Sequence, residues 1–144
     1  MKVIPGIGID IVKFGITEEE VISQLGTPNK IYTTDEGCRR LQYNDLKIEL
    51  SFEPENGYRL GWIEVHNSNM ELEGTRIFGL SEEQAIPDVS DSLGEVPSVE
   101  DYGSFVSAFY EGNWVELQFQ FGSLCCVNVG VLYSESGDPE WPSS

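Results

Sequence analysis

Polar and apolar residues alternate strictly along Leu46-Lys47-Ile48-Glu49-Leu50-Ser51-Phe52-Glu53, and the same pattern returns over Asn113 to Gln120 as Trp114, Val115, Glu116, Leu117, Gln118 and Phe119. A period of two predicts a strand with one apolar face in each place. Upstream, Arg40 to Tyr43 matches Ser107 to Tyr110, and the turns Asn44-Asp45 and Glu111-Gly112 make both pairs hairpins. Downstream, Leu60 to His66 is matched to Cys126 to Leu132, with Asn56-Gly57 and Gly122-Ser123 as the intervening turns. The alternation assigns Ile48, Leu50, Phe52, Ile63 and Val65 to one face, with Val115, Leu117, Phe119, Val129 and Val131 as their counterparts.

Before each group of strands stands a helix signal written in nearly the same letters. Phe14-Gly15-Ile16-Thr17-Glu18-Glu19-Glu20-Val21 reappears as Phe78-Gly79-Leu80-Ser81-Glu82-Glu83-Gln84-Ala85. Thr17 and Ser81 are natural N-caps, and Glu20 and Gln84 three residues on complete a capping box in each copy. Ile16 with Val21 and Leu80 with Ala85 form hydrophobic staples, while Glu18, Glu19, Glu82 and Glu83 lie in first turns, where the helix dipole favours acids. Leu25-Gly26-Thr27-Pro28 and Leu93-Gly94-Glu95-Val96-Pro97 close the helices, Gly26 being suited to a left-handed cap. Pro87 predicts a break in the second helix, into Ser81 to Ile86 and Val89 to Leu93.

The expected fold is therefore α+β, a tandem repeat of helix plus antiparallel β-meander. Residues 1-67 form the first copy, 70-135 the second and 136-144 a C-terminal tail that is either disordered or anchored to the body by Trp141; the two copies pack as one domain. Helices cover one face of the sheet and leave the other exposed. That exposed face carries Glu49, Trp62, Glu64 and His66 from the first copy and Phe109, Trp114, Glu116 and Gln118 from the second, and these eight are the candidate protein-binding residues. Trp among polar neighbours is characteristic of binding hot spots, although internal packing or self-association would also cover it.

Charge narrows the class of partner. Eight Lys and Arg stand against 25 Asp and Glu, a net charge of −17 that repels phosphate backbones and attracts a basic protein. Nucleic acid is not expected as a partner, nor is a membrane. The start MKVIPGIGIDIVKFG reads as neither a signal peptide nor a span, which points to the cytoplasm. Gly6-Ile7-Gly8 lacks the third glycine of a dinucleotide loop and reads as a lead into the first strand. Cys38, Cys125 and Cys126 have no CxxC spacing and one histidine, His66, to join them, so neither a metal nor another cofactor is expected. His66 is the one general-base candidate near neutral pH, and Glu64 lies two residues away on the same face; no nucleophile elbow accompanies the pair, and no catalytic residues are assigned.

The motifs FGITEEEVISQLGTP with LKIELSF, and FGLSEEQ followed by SLGEVP with WVELQF, resemble the beta-lactamase inhibitory protein and its relatives, including the small outer-membrane-assembly lipoprotein fold. The resemblance spans nearly the whole chain as a pattern of elements, and it implies a concave sheet face that grips another protein. The chain departs from that family in having no export signal, no lipid-attachment cysteine near its start and cysteines unlike the family's disulfides. A small, very acidic, non-catalytic chain also looks like the immunity partners of bacterial toxins. The expected function is a protein-binding module of the inhibitor or immunity type, acting on a basic toxin or enzyme. A small ligand binder or enzyme using His66, and a self-associating homodimer, are the alternatives.

Overall fold

The computed structural model describes residues 1–142. Along the chain, three short strands, β1 (Lys2–Ile4), β2 (Gly8–Ile9) and β3 (Val12–Lys13), precede helix α1 (Glu18–Leu25). Four strands follow: β4 (Lys30–Thr33), β5 (Arg39–Tyr43), β6 (Ile48–Glu53) and β7 (Arg59–Val65). Then come β8 (Glu71–Leu72), β9 (Thr75–Arg76), helix α2 (Glu82–Leu93) and a second group of four, β10 (Ser98–Asp101), β11 (Val106–Tyr110), β12 (Val115–Gln120) and β13 (Ser123–Gly130). The fold is α+β. The two groups of four join edge to edge in one antiparallel sheet, ordered β10-β11-β12-β13-β7-β6-β5-β4, and the short strands make a second sheet, β3-β2-β1-β8-β9. Gly6 and Ile7 thus lie in a turn between β1 and β2 rather than leading into a first strand. Among the described residues, no helix is long and apolar enough to cross a membrane.

Local chemistry explains where the helices begin. The Thr17 hydroxyl accepts from the Glu20 amide while the Glu20 carboxylate accepts from the Thr17 amide, and Ser81 and Gln84 repeat the exchange. At the other ends, Gly94 adopts the left-handed helical conformation (φ 66°, ψ 31°), whereas Gly26, though also at positive φ, takes a different conformation (φ 88°, ψ −171°), a correction to the left-handed cap expected there.

The break expected at Pro87 does not occur, and α2 runs through it. Pro87 lies on the solvent side, so the carbonyl of Glu83, which loses its amide partner, remains open to water. Ala85 and Val89, on the other side, are buried. The turn is braced from the sheet: the Tyr110 hydroxyl donates to the Ile86 carbonyl at 3.2 Å and lies 2.9 Å from the Ser90 hydroxyl. Tyr43 makes the corresponding tie to α1, donating to the Gly26 carbonyl at 2.8 Å.

All ten residues assigned by alternation to the apolar face are buried, in one core cluster with Val21, Ala85 and Val89 of the helices. The match of Leu60–His66 to Cys126–Leu132, however, is two residues out. In the sheet, Leu60 and Leu124 hold the same place: Gly15 donates to the Leu60 carbonyl and Leu60 to that of Ile16, as Gly79 donates to Leu124 and Leu124 to Leu80. Each ladder shifts register there, leaving Gly61 and Cys125 as the extra residues of β-bulges. The β6–β7 connection includes a 3-10 turn, Pro54–Asn56, while β12–β13 is closed by Phe121-Gly122, both at positive φ as a tight hairpin requires. A displacement of two residues preserves parity, so the faces stay as assigned.

The tail is tied down as far as it is described. Tyr133 bridges Pro139, and Trp141 packs over Gly15, where an added Cβ would lie 3.2 Å from its ring. Ser143 and Ser144 of the expected tail lie outside the described residues.

Candidate functional site

Opposite the core, the sheet's other face carries its polar side chains in lateral rows. Strand pairing sets Gln42 beside Glu49, Glu49 beside Glu64, Glu64 beside Asn128, Asn128 beside Glu116 and Glu116 beside Phe109. Three carboxylates therefore share one row across both halves of the chain.

Two of these carboxylates are held by converging donors, but by different kinds. Glu49 accepts from the Arg40 guanidinium at 2.6 Å, the Tyr32 hydroxyl at 3.0 Å and the Gln42 amide. Glu116 accepts from the Ser107 hydroxyl at 2.6 Å, the Asn128 amide at 2.8 Å and the Gln118 amide at 2.9 Å, all neutral. These networks account for the burial of Glu49, Ser107 and Asn128 on the side of the sheet away from the core. Arg40 Nε is the one buried side-chain nitrogen or oxygen without a partner among the described residues.

Next to the row stands an aromatic cluster. The Trp114 ring meets Trp62 edge-on with centroids 4.8 Å apart and Phe109 at 4.8 Å, all three half-buried. Gly130 makes the space, since a Cβ there would lie 3.2 Å from the Trp114 ring and 3.3 Å from that of Trp62. Trp114 has φ 53°, a left-handed backbone that a bulky residue adopts at a cost of about 1–2 kcal/mol. Lys47 has φ 56° at the corresponding turn of the other half, so the turn imposes the strain and the second half fills it with an indole.

At the seam between the halves, where β13 pairs with β7, Glu64, His66 and Cys126 converge. His66 Nε2 lies 3.4 Å from Glu64 Oε1, and Cys126 Sγ is 4.0 Å from each. Hydrogen bonding to Glu64 raises the His66 pKa above its ordinary value, and the same bond lowers that of Glu64. Burial, with Glu64 and Glu116 nearby, pushes the Cys126 thiol far up. Glu64 and His66 also line a cleft of ≈ 270 Å³ with Gln42, Tyr43, Asn44, Lys47, Ile48 and Glu49.

The eight candidate residues lie on the side of the sheet away from the core, with His66 just past the end of β7 and Trp114 just before β12; His66 is exposed, Glu49 is buried and the other six are half-buried. They fall into three groups: Trp62, Phe109 and Trp114; Glu116 with Gln118; and Glu64 with His66, to which Glu49 is joined through the row. Sequence reading left out Tyr32, Asn128 and Cys126. The two-residue mismatch kept Asn128 and Cys126 on the correct face but set them against the wrong partners, and Tyr32 lies on a strand that no motif marked.

No family model matches the chain, and no curated protein matches it. Two solved structures are similar. One is a DUF4309-family protein, YjgB, from Bacillus subtilis, with 16% identity, a TM-score of 0.51 and 88% of each chain covered. The other is an extracellular protein containing an SCP domain from Bacillus anthracis, with 14% identity and a TM-score of 0.51, covering 81% of this chain and 43% of that one. The chain thus spans less than half the length of the second. At these identities the likeness is one of fold.

Proposed function

We propose that the chain is a tandem duplication whose helices cover the core face of the joined sheet, and that it acts as a non-catalytic protein-binding module of the inhibitor or toxin-immunity type. Its partner is a basic protein that docks on the open face. The observation that carries this reading is the half-buried cluster of Trp62, Trp114 and Phe109 standing over Gly130 beside Glu116. Rigid aromatic area at the centre of a polar face is what binding hot spots use. Trp114 occupies a left-handed position where a glycine or asparagine would relax the turn, and an indole held there at that cost favours a role for the ring beyond local folding. Glu64 and Glu116 have no Lys or Arg partner among the described residues, and with a chain charge of −17 they favour a cationic surface. The cytoplasmic location belongs to the same reading, supported by three unpaired thiols.

The test compares proteins retained from host extract by the wild-type chain and by Trp62→Ala/Trp114→Ala. A basic protein held by the first in a salt-sensitive manner and lost by the second supports the reading; identical recovery removes the face from consideration. The cleft beside His66 favours a second reading, a small-ligand site. That reading requires His66→Ala to abolish ligand binding while the aromatic double variant keeps it.

A further inference from the structure

We propose that Glu64, His66 and Cys126 form a zinc site at the seam of the two halves, on the same sheet face as the proposed docking surface and sharing Glu64 and His66 with it. Two of the donors, Glu64 in β7 and Cys126 in β13, come from directly paired strands, and His66 directly follows β7. Glu64 and His66 project from the same face at a spacing of two, and Cys126 lies opposite His66 because Val127 pairs with Val65 and Asn128 with Glu64. A sheet holds such donors in place without backbone movement, which is what an ion requires of its ligands.

The spacing fits a tetrahedral ion. Zinc at about 2.3 Å from sulfur and about 2.0 Å from nitrogen and oxygen sets sulfur about 3.6 Å from the other two donors, and nitrogen about 3.3 Å from oxygen. The donors here are 4.0 Å, 4.0 Å and 3.4 Å apart, so rotation of side chains by less than about half an ångström closes the site. A thiolate, an imidazole and a carboxylate together select zinc over calcium or magnesium, which take oxygen ligands alone. Glu64 and His66 border the ≈ 270 Å³ cleft, which leaves a fourth position open to water. Zinc binds cysteine as the thiolate, so occupancy of the site is coupled to loss of the Cys126 thiol proton.

Cobalt(II) reports such a site through a thiolate-to-metal charge-transfer band in the near ultraviolet. The full chain, reduced and freed of metal, is titrated with cobalt and then with zinc. We expect the band to saturate at one equivalent and to vanish as zinc displaces cobalt. Cys126→Ser abolishes it, and His66→Ala weakens binding by at least about 10-fold, the lower end of what losing even an outer partner of a metal ligand costs. Absence of the band in the wild type, its persistence in Cys126→Ser, or unchanged affinity in His66→Ala overturns the proposal. If Cys126→Ser fails to fold by circular dichroism, His66→Ala decides, because His66 lies at the surface.

Discussion

Replacing Glu49 by Gln and Glu116 by Gln makes the same chemical change at two matched places, and the structure predicts different outcomes. At position 116 all three donors are neutral. The new amide oxygen can accept from Gln118 and Asn128, which both use Oε1, and the new NH₂ can donate to the Ser107 hydroxyl, which rotates to accept. Removing one negative charge from a chain at −17 also relieves repulsion, so Glu116→Gln should change stability by less than about 0.5 kcal/mol. At position 49 the hydrogen bonds can be rearranged, but Arg40 loses its counter-ion. The side chains of that pair are 25% and 11% exposed, and Arg40 Nε is already unpartnered. Fully buried pairs broken on one side cost about 3–5 kcal/mol; with this degree of solvent access about 2 kcal/mol is expected, a fall in Tm of roughly 4–8 °C for a chain of this size. Thermal and urea unfolding of the two single variants, and of Arg40→Met with Glu49→Gln, measures it. The double variant should recover most of the loss, because no uncompensated cation remains. Equal losses in the two Gln variants, or a double variant no better than Glu49→Gln, would refute the assignment of the cost to the guanidinium.

Two further outcomes follow from particular residues. Pro87→Ala restores an amide donor to the exposed Glu83 carbonyl without removing packing, so it should stabilise the chain by about 2 kcal/mol, seen as a higher urea midpoint; an unchanged midpoint would mean that α2 gains nothing from the bond. Burial raises the Glu53 pKa above its ordinary 4.5, against the opposing effect of the hydrogen bond from Asn56. The folded state then binds the proton more tightly than the unfolded one. Stability contributed by the acid form is present below about pH 4.5 and is lost as pH rises through the folded value. Glu53→Gln should therefore gain on the wild type as pH climbs from 4.5 to neutrality in parallel unfolding curves, and a constant difference would contradict the sign.

How much of this was legible in the sequence depends on how far apart the cooperating residues lie. The caps at Thr17 and Ser81 involve partners three residues away, and the strand faces follow from a period of two, so both could be read directly. The bulges at Gly61 and Cys125 could not, because an extra residue in a ladder has no local spelling; the mismatch of Cys126 with Leu60 is its consequence. Pro87 misled for a related reason: its effect on a helix depends on which side faces water, and that is settled by Ala85, Val89 and Tyr110 together. The approach of Cys126 to Glu64 and His66 depends on β13 pairing with β7, a contact between residues some 60 positions apart, and the clustering of Trp62 on Trp114 depends on the same seam. The five-stranded sheet of two- and three-residue strands drawn from both halves had no periodicity long enough to see.

The three indoles provide the most direct test of the open face as a docking surface. Trp62 and Trp114 stand on it, while Trp141 packs over Gly15 at the tail and serves as an internal control. In a proton–nitrogen correlation spectrum of the labelled chain, titrated with the basic protein that it retains from host extract, the indole signals of Trp62 and Trp114 should shift or broaden while that of Trp141 stays in place. A partner that moves Trp141 and leaves the other two unchanged would contradict the account.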